Sequence, residues 1–239
     1  MNTGDCRAKR ARAPKEKEAR RNHILHVASQ LFSADAPQLP TADKIAKTAG
    51  IAKGTVYLYF KSKEEIFLCL LEQHQTKWLE RVRSHLEQNP GLSIEIVVES
   101  LCSYIEQEPQ FFHLASMSGT VIEQNIDKAD LIAYKSHCLT RFKKLGEFLQ
   151  QHLSQIAEER TADEWVTYLV RSYAILLGIW QQSNPHPSIR AVLLQPSLSI
   201  LMPDFSHEAR DALRHLWQSA LEEKEKKKTT LWSLKSLLS

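Results

Sequence analysis

At 239 residues and 43% apolar content, the chain is long enough for one large domain or two modest ones around a buried core, with no need of cross-links. Its four cysteines, Cys6, Cys69, Cys102 and Cys138, lie too far apart for a CxxC pair or a metal-ligand cluster; reduced thiols are expected, and a disulfide scaffold is excluded. The formal net charge of +3 conceals an asymmetry, because residues 1–63 hold thirteen Lys/Arg against five Asp/Glu while the remainder holds 18 against 23. A basic front on an acidic body is the footprint of a nucleic-acid module.

Residues 1–18 mix Arg, Lys, Ala and Pro14 with almost no large apolar side chains, so a mobile basic arm is expected. From Arg20, the stripe Ile24, Val27, Ala28, Leu31 and Phe32 predicts a first helix running to about Ser33. Pro37 and Pro40 interrupt it, and Thr41 caps a second helix with Asp43 in its positive first turn. Ala46 permits close helix approach and Gly50, four residues on, ends that helix in the left-handed conformation. Ile45, Ala49, Ile51, Val56 and Phe60 supply the apolar floor beneath a third helix that begins around Ala52 to Thr55. The capping box Ser62/Glu65 opens a long fourth helix that buries Ile66, Phe67, Leu70, Leu71, His74 and Trp78 and stops at Asn89-Pro90-Gly91.

Further helices are predicted at about 92–106, 109–121, 127–157, 162–183 and 206–226, with little strand signal and seven glycines in all. Ser183 to Asp204 is a proline-bearing loop in which Ile189 to Leu194 can add a short helix. The tail turns from a lysine cluster to Leu231, Trp232, Leu234, Leu237 and Leu238, read as a packing helix, with a membrane-surface or partner-binding role as the alternative. The organisation expected is an all-α chain: a basic arm at 1–18, a helix-turn-helix domain at 19–65, a helical domain at 66–226, and a tail at 227–239. The N-terminus lacks an apolar export core and Tyr173 to Trp180, the longest apolar run, is too short to span a bilayer, so a soluble cytoplasmic protein is expected.

A short helix, a glycine turn and a donor-rich second helix form a DNA-reading unit in which the first helix crosses the backbone and the second enters the major groove. Lys53 can donate to a guanine edge or a phosphate, Thr55 can bond a base or phosphate and offer its methyl to thymine, and Gly54 lets the backbone come close. Tyr57 and Tyr59 place hydroxyls near phosphates, although an aromatic at helical spacing is as often core, and inward packing of one ring stays open. Lys63 stands at the start of the fourth helix, where free N–H groups favour an anion. His23 and His26 read as surface or phosphate-side groups. No HExxH, carboxylate–histidine cluster or nucleophile elbow occurs, which speaks against an enzyme or a metal protein, and no cofactor is expected.

Thr41, Ile45-Ala46, Ala49-Gly50, Gly54-Thr55, Tyr57, Phe60, Lys63 and the acidic-apolar start of the fourth helix resemble the DNA-binding region of the TetR family of bacterial transcriptional repressors. With the first helix, the likeness covers roughly residues 20–75. One departure is Ala36-Pro37, where members usually carry a glycine after the first helix. The resemblance implies an all-α homodimer with one reader per subunit and a C-terminal domain that often holds a small-molecule pocket. By the same likeness, Thr41, Tyr57, Tyr59 and Lys63 would contact phosphates while Lys53, Gly54 and Thr55 face bases. The partners expected are an operator duplex, a small apolar or amphipathic effector and a second copy. A regulator of the same fold without an effector, controlled by abundance or a protein partner, is the alternative.

In the body, the helix from Trp165 to Gln182 is apolar nearly all round, so it is expected to face the core on one side and a partner subunit on the other. Ala209, Leu213, Leu216, Trp217 and Ala220 of the last helix would complete a four-helix seam. An apolar ligand could be held by Tyr104, Phe111, Phe112, Met117, Tyr134, Cys138, Trp165, Tyr168 and Trp180, although the same set would serve as ordinary core.

Overall fold

The computed structural model describes residues 4–32, 38–153 and 160–220, with side chains from Lys15 onward, and every regular element among them is helical. In chain order the α-helices are α1 (Gly4–Leu31), α2 (Ala42–Thr48), α3 (Lys53–Tyr57), α4 (Lys63–Gln88), α5 (Ile94–Gln107), α6 (Pro109–Ser116), α7 (Lys128–Leu153), α8 (Ala162–Ser183), α9 (Pro187–Leu193) and α10 (205–220), with a short 3₁₀ turn at Ser199–Leu201 before the last. The chain is therefore all-α, with a three-helix head followed by a helical body. No described helix is long and apolar enough to cross a membrane.

Each helix start follows from local chemistry. Thr41 Oγ1 accepts the Lys44 amide at 3.2 Å, Ser62 Oγ accepts that of Glu65 at 3.2 Å, and Thr161 with Glu164 closes a reciprocal capping box. At Ser62 the return bond differs from the expected box: Glu65 Oε2 accepts the Lys61 amide at 2.5 Å, one residue earlier, which tightens the turn between α3 and α4. α4 is the spine of the molecule, burying Phe67, Leu71, Trp78, Val82 and Leu86 along its length. Trp78 can be fully buried because its indole N–H reaches Leu101 O of α5 at 3.0 Å. α7 and α8 approach closely at Gly146, where a Cβ would stand 2.6 Å from Ala162 O.

Three expectations are corrected. The backbone is helical from Gly4, so residues 4–18 continue α1 rather than forming an unordered arm; Ala, Arg, Lys and Glu are strong helix formers, and Ile24 and Ala28 anchor the helix from which they extend. The single helix expected at 109–121 stops at Ser116 and passes through a π turn (Ser118–Ile122) and a 3₁₀ turn (Glu123–Asn125). There Ser118 Oγ donates to Glu123 Oε1 at 2.6 Å, and the wider turn keeps Ile122 fully buried. Finally, Ala209, Leu213, Trp217 and Ala220 of α10 are buried inside the protomer, leaving Leu216 half-buried. The Trp217 indole donates to Ser172 Oγ of α8 at 3.0 Å, a polar tether that turns this face of α10 inward. Ala36-Pro37, positions 154–157 and 221–226 of the two long helices, and the tail lie outside the described residues.

The head is fastened to the body through its own core. Phe32 packs 5.7 Å from Phe67 and 5.1 Å from His113, and Gln110 Nε2 donates to Phe32 O at 3.3 Å. Arg21 lies 4.9 Å over the Phe60 ring and donates to Cys69 Sγ at 2.9 Å. Burial pushes the Cys69 thiol above its usual range, so it accepts this bond as a neutral group.

Candidate nucleic-acid interface

A five-residue helix cannot hold itself together in water, so α3 depends on what lies beneath it. Ile45, Ala46, Val56 and Phe60 are 0–2% exposed, with Ala49, Ile51 and Tyr59 packed against them. Burying each of the larger apolar side chains is worth about 1.5–3 kcal/mol. The angle between α2 and α3 is set at Gly50, whose φ of 65° lies in the left-handed region, while the Ile51 amide returns to Ala46 O at 3.0 Å. Gly50→Ala is expected to destabilise the fold by about 1–2 kcal/mol, read as a lowered denaturant midpoint with an unchanged slope.

With that floor in place, Lys53, Gly54, Tyr57 and Leu58 face solvent on one side of α3. Thr55 is half-buried and Thr41 is exposed although its hydroxyl is engaged in capping. The two tyrosines divide: Tyr57 is 49% exposed, while Tyr59 is half-buried against the core. Lys63, at the first turn of α4, is half-exposed and lies 3.8 Å from Glu64 Oε1. A Cβ at Gly54 would meet nothing within 4 Å, so the fold itself makes no demand for glycine there. An outward-facing helical position that pays the entropy of glycine for no internal reason is one where another surface can come close. His23 Nε2 stands 3.3 Å from Ala49 O, at the carbonyl end of α2, and His26 is exposed.

Two residues on this surface carried no clear mark in the sequence. Leu58 is 77% exposed directly after the reader helix. Lys61 reaches across to the body, with Nζ 3.0 Å from Asp127 Oδ2 and 2.6 Å from Asp130 Oδ2.

The nine pocket candidates fall into separate groups. Tyr104, Phe111, Phe112 and Trp180 join Trp78 and Tyr173 in a continuous aromatic cluster, with ring centroids 4.9–6.4 Å apart. Tyr134 OH and Cys138 Sγ both donate to Gln75 Oε1 at 3.0 Å, and burial pushes the Tyr173 phenol up to about 12 and Tyr134 further. Met117 is half-buried at the end of α6. Trp165 and Tyr168 lie at the far end of the bundle beside Trp217, whose ring stacks on Trp165 at 5.7 Å. Only Trp165 of the nine borders the apolar cleft of about 290 Å³ formed by Leu92, Ile94, Val97, Leu153, Trp217 and Ala220, with Ser93 and Glu95 at its rim. Gln75 carried a readable mark: a polar residue inside the apolar stripe Leu71, Trp78 and Val82 signals a hydrogen-bonding site, and Gln75 is half-buried there.

Among the described residues, no group of His, Cys, Asp and Glu could hold a metal ion. The arrangement is a donor-bearing, solvent-facing edge on a buried apolar floor, the form in which a helix-turn-helix presents its second helix to a groove.

Comparison with known proteins agrees with this geometry. Residues 24–70 match the family described as bacterial regulatory proteins, tetR family, and residues 72–224 match the tetracyclin repressor-like C-terminal domain. The chain is 32% identical over 140 residues to the fatty acid metabolism regulator protein of Bacillus subtilis, covering 59% of this chain and 66% of that one. It is 28% identical over 147 residues to the transcriptional regulator AcrR of Shigella flexneri, covering 56% and 65%. The match thus spans just under two thirds of each of these relatives. Among solved structures, the fatty acid degradation regulator FadR from Bacillus halodurans shares the fold, with a TM-score of 0.53 and 16% identity over 84% of this chain and 94% of that one. A tetR-family transcription regulator from Shewanella sp. PV-4 aligns with a TM-score of 0.51 and 16% identity over 84% and 97%. With both domain matches in sequence order and together covering most of its length, the chain belongs to the TetR family of transcriptional regulators.

Proposed function

We propose that this protein is a homodimeric, effector-responsive repressor that binds a pseudo-palindromic operator, with Lys53, Gly54 and Thr55 facing bases and Thr41, Tyr57, Tyr59 and Lys63 facing phosphates. The observation that carries the reading is the solvent-facing edge of α3, where Lys53, Gly54 and Tyr57 stand exposed on a fully buried floor. Two such edges, one per subunit, would enter successive major grooves about 34 Å apart.

The seam we assign to the dimer is the outward stripe of α8. Val170, at 48% exposure, and the exposed Ala174 and Gly178 recur every four residues, and small side chains allow two helices to approach closely. For the effector, the aromatic cluster and the Gln75 site favour an apolar or amphipathic molecule, and the fatty-acid regulators among the relatives make a fatty-acid derivative the first candidate to titrate. If it binds better to a dimer whose readers are wrongly spaced, occupancy drains the DNA-competent population.

The second reading, a regulator of this fold without an effector, draws support from rings that fill the middle of the body in mutual contact. Titration separates the two: loss of duplex affinity on adding a fatty acid or its thioester supports the first, and an unchanged isotherm with no copurified ligand supports the second. For the contacts themselves, Lys63→Ala is expected to weaken all duplex sequences alike and lower the salt slope by about 0.9 per lost contact, while Thr55→Val changes sequence preference. Identical, unaltered isotherms for both variants would contradict the assignment.

A further inference from the structure

Lys61 occupies the turn between the reader helix and α4, flanked at two residues' distance by Tyr59 and Lys63, both assigned to phosphates above. Its ammonium does not point idly into solvent. It lies 3.0 Å from Asp127 Oδ2 and 2.6 Å from Asp130 Oδ2, two carboxylates at the start of α7 and 66 and 69 residues away in sequence. The Lys61 amide is held as well, donating to Glu65 Oε2 at 2.5 Å, so the backbone from which the side chain springs is fixed. Hydrogen bonds to Asp130 and then Asp127 hold the ammonium above the usual lysine range, and it remains charged.

Resting on the DNA-binding reading, we infer that Lys61 is a two-position latch: the Asp127/Asp130 pair holds its ammonium on the body when DNA is absent, and an operator phosphate takes it over when DNA is bound. All three side chains are well exposed, at 66%, 68% and 42%, so neither position requires burying a charge. Exchange of one anionic partner for another is then close to balanced, which is the condition for a switch that a modest bias can throw. The bias has a route. Asp130 and Tyr134 are one turn apart on α7, and Tyr134 OH donates to Gln75 Oε1 at 3.0 Å inside the body. An occupant that displaces Tyr134 therefore moves the carboxylate that holds Lys61, and the latch connects the interior to the DNA edge without passing through the head's core.

The test is a double-mutant cycle in duplex binding, using a mixed-sequence duplex long enough for two half-sites and a series of salt concentrations. Asp127→Asn with Asp130→Asn frees Lys61, and the expected result is affinity tighter by roughly threefold or more with a nearly unchanged salt slope, whereas Lys61→Gln alone lowers that slope by about 0.9 per subunit. In a Lys61→Gln background the same pair of substitutions is expected to have no effect on either quantity. Single Asp127→Asn, which leaves the first turn of α7 intact, gives a smaller change of the same sign and keeps the test readable should the double variant fold poorly. Unchanged affinity in the Asp variants, or equal tightening with and without Lys61, would overturn the latch, the latter because it would reflect only the loss of negative charge near DNA. Wild-type protein with no duplex affinity would instead sink the DNA reading itself, and the latch with it.

Discussion

Gly54→Ala is expected to fold as well as the parent protein and yet to lose duplex binding. A Cβ there meets nothing within 4 Å, and alanine in place of glycine inside a helix gains about 0.5–1 kcal/mol, so the denaturant midpoint should hold or rise. The same methyl group stands on the edge that is to approach the bases, between exposed Lys53 and half-buried Thr55. Displacing that edge loses base contacts worth about 1–3 kcal/mol each, or about tenfold or more per subunit. Circular dichroism melts and duplex titrations on one preparation check both halves. Intact binding by Gly54→Ala would show that the backbone of α3 does not come near the groove.

Ala174→Glu should have the second large effect, through the subunits rather than the reader. Ala174 lies midway along the outward stripe of α8, between Val170 and Gly178, and is exposed in the protomer, so a carboxylate there disturbs no internal packing. In an isologous seam each copy faces the same patch of its partner, so two like charges are brought together. The expected result is a monomer by sedimentation with unaltered helicity. Operator affinity should fall by roughly 10²–10⁴, because the second reader no longer binds as part of one molecule. A variant that remains dimeric would move the seam elsewhere, and one that is monomeric yet binds with parental affinity would remove the need for paired readers.

What the sequence disclosed depended on how local the cause was. Thr41, Gly50 and Ser62 act within four residues of themselves, and their caps and turn could be read from spacing and residue type. The apolar floor of Ile45, Val56 and Phe60 was legible for the same reason, since helical period sets which side chains face inward. The inward rotation of α10 was not, because Trp217 is turned by Ser172, 45 residues away, and an apolar face fits a core or a partner equally well. Tyr57 and Tyr59 share one chemistry, and their division into exposed and half-buried is set by how α3 meets the floor, which residue type and spacing do not specify. Lys61 gave no sign of its ion pairs for a similar reason: its partners lie at the start of another helix, and only the fold brings Asp127 and Asp130 to it. The body's pocket candidates lie scattered in space, since aromatic composition marks an interior without marking a cavity.

The most direct measurement is selection of bound fragments from a random duplex pool at low salt, followed by sedimentation of the enriched complex. The account predicts a two-fold symmetric sequence with half-site centres about one helical turn apart, occupied by two subunits. A pool that emerges unenriched, or a preferred sequence without symmetry bound by a single subunit, would contradict it.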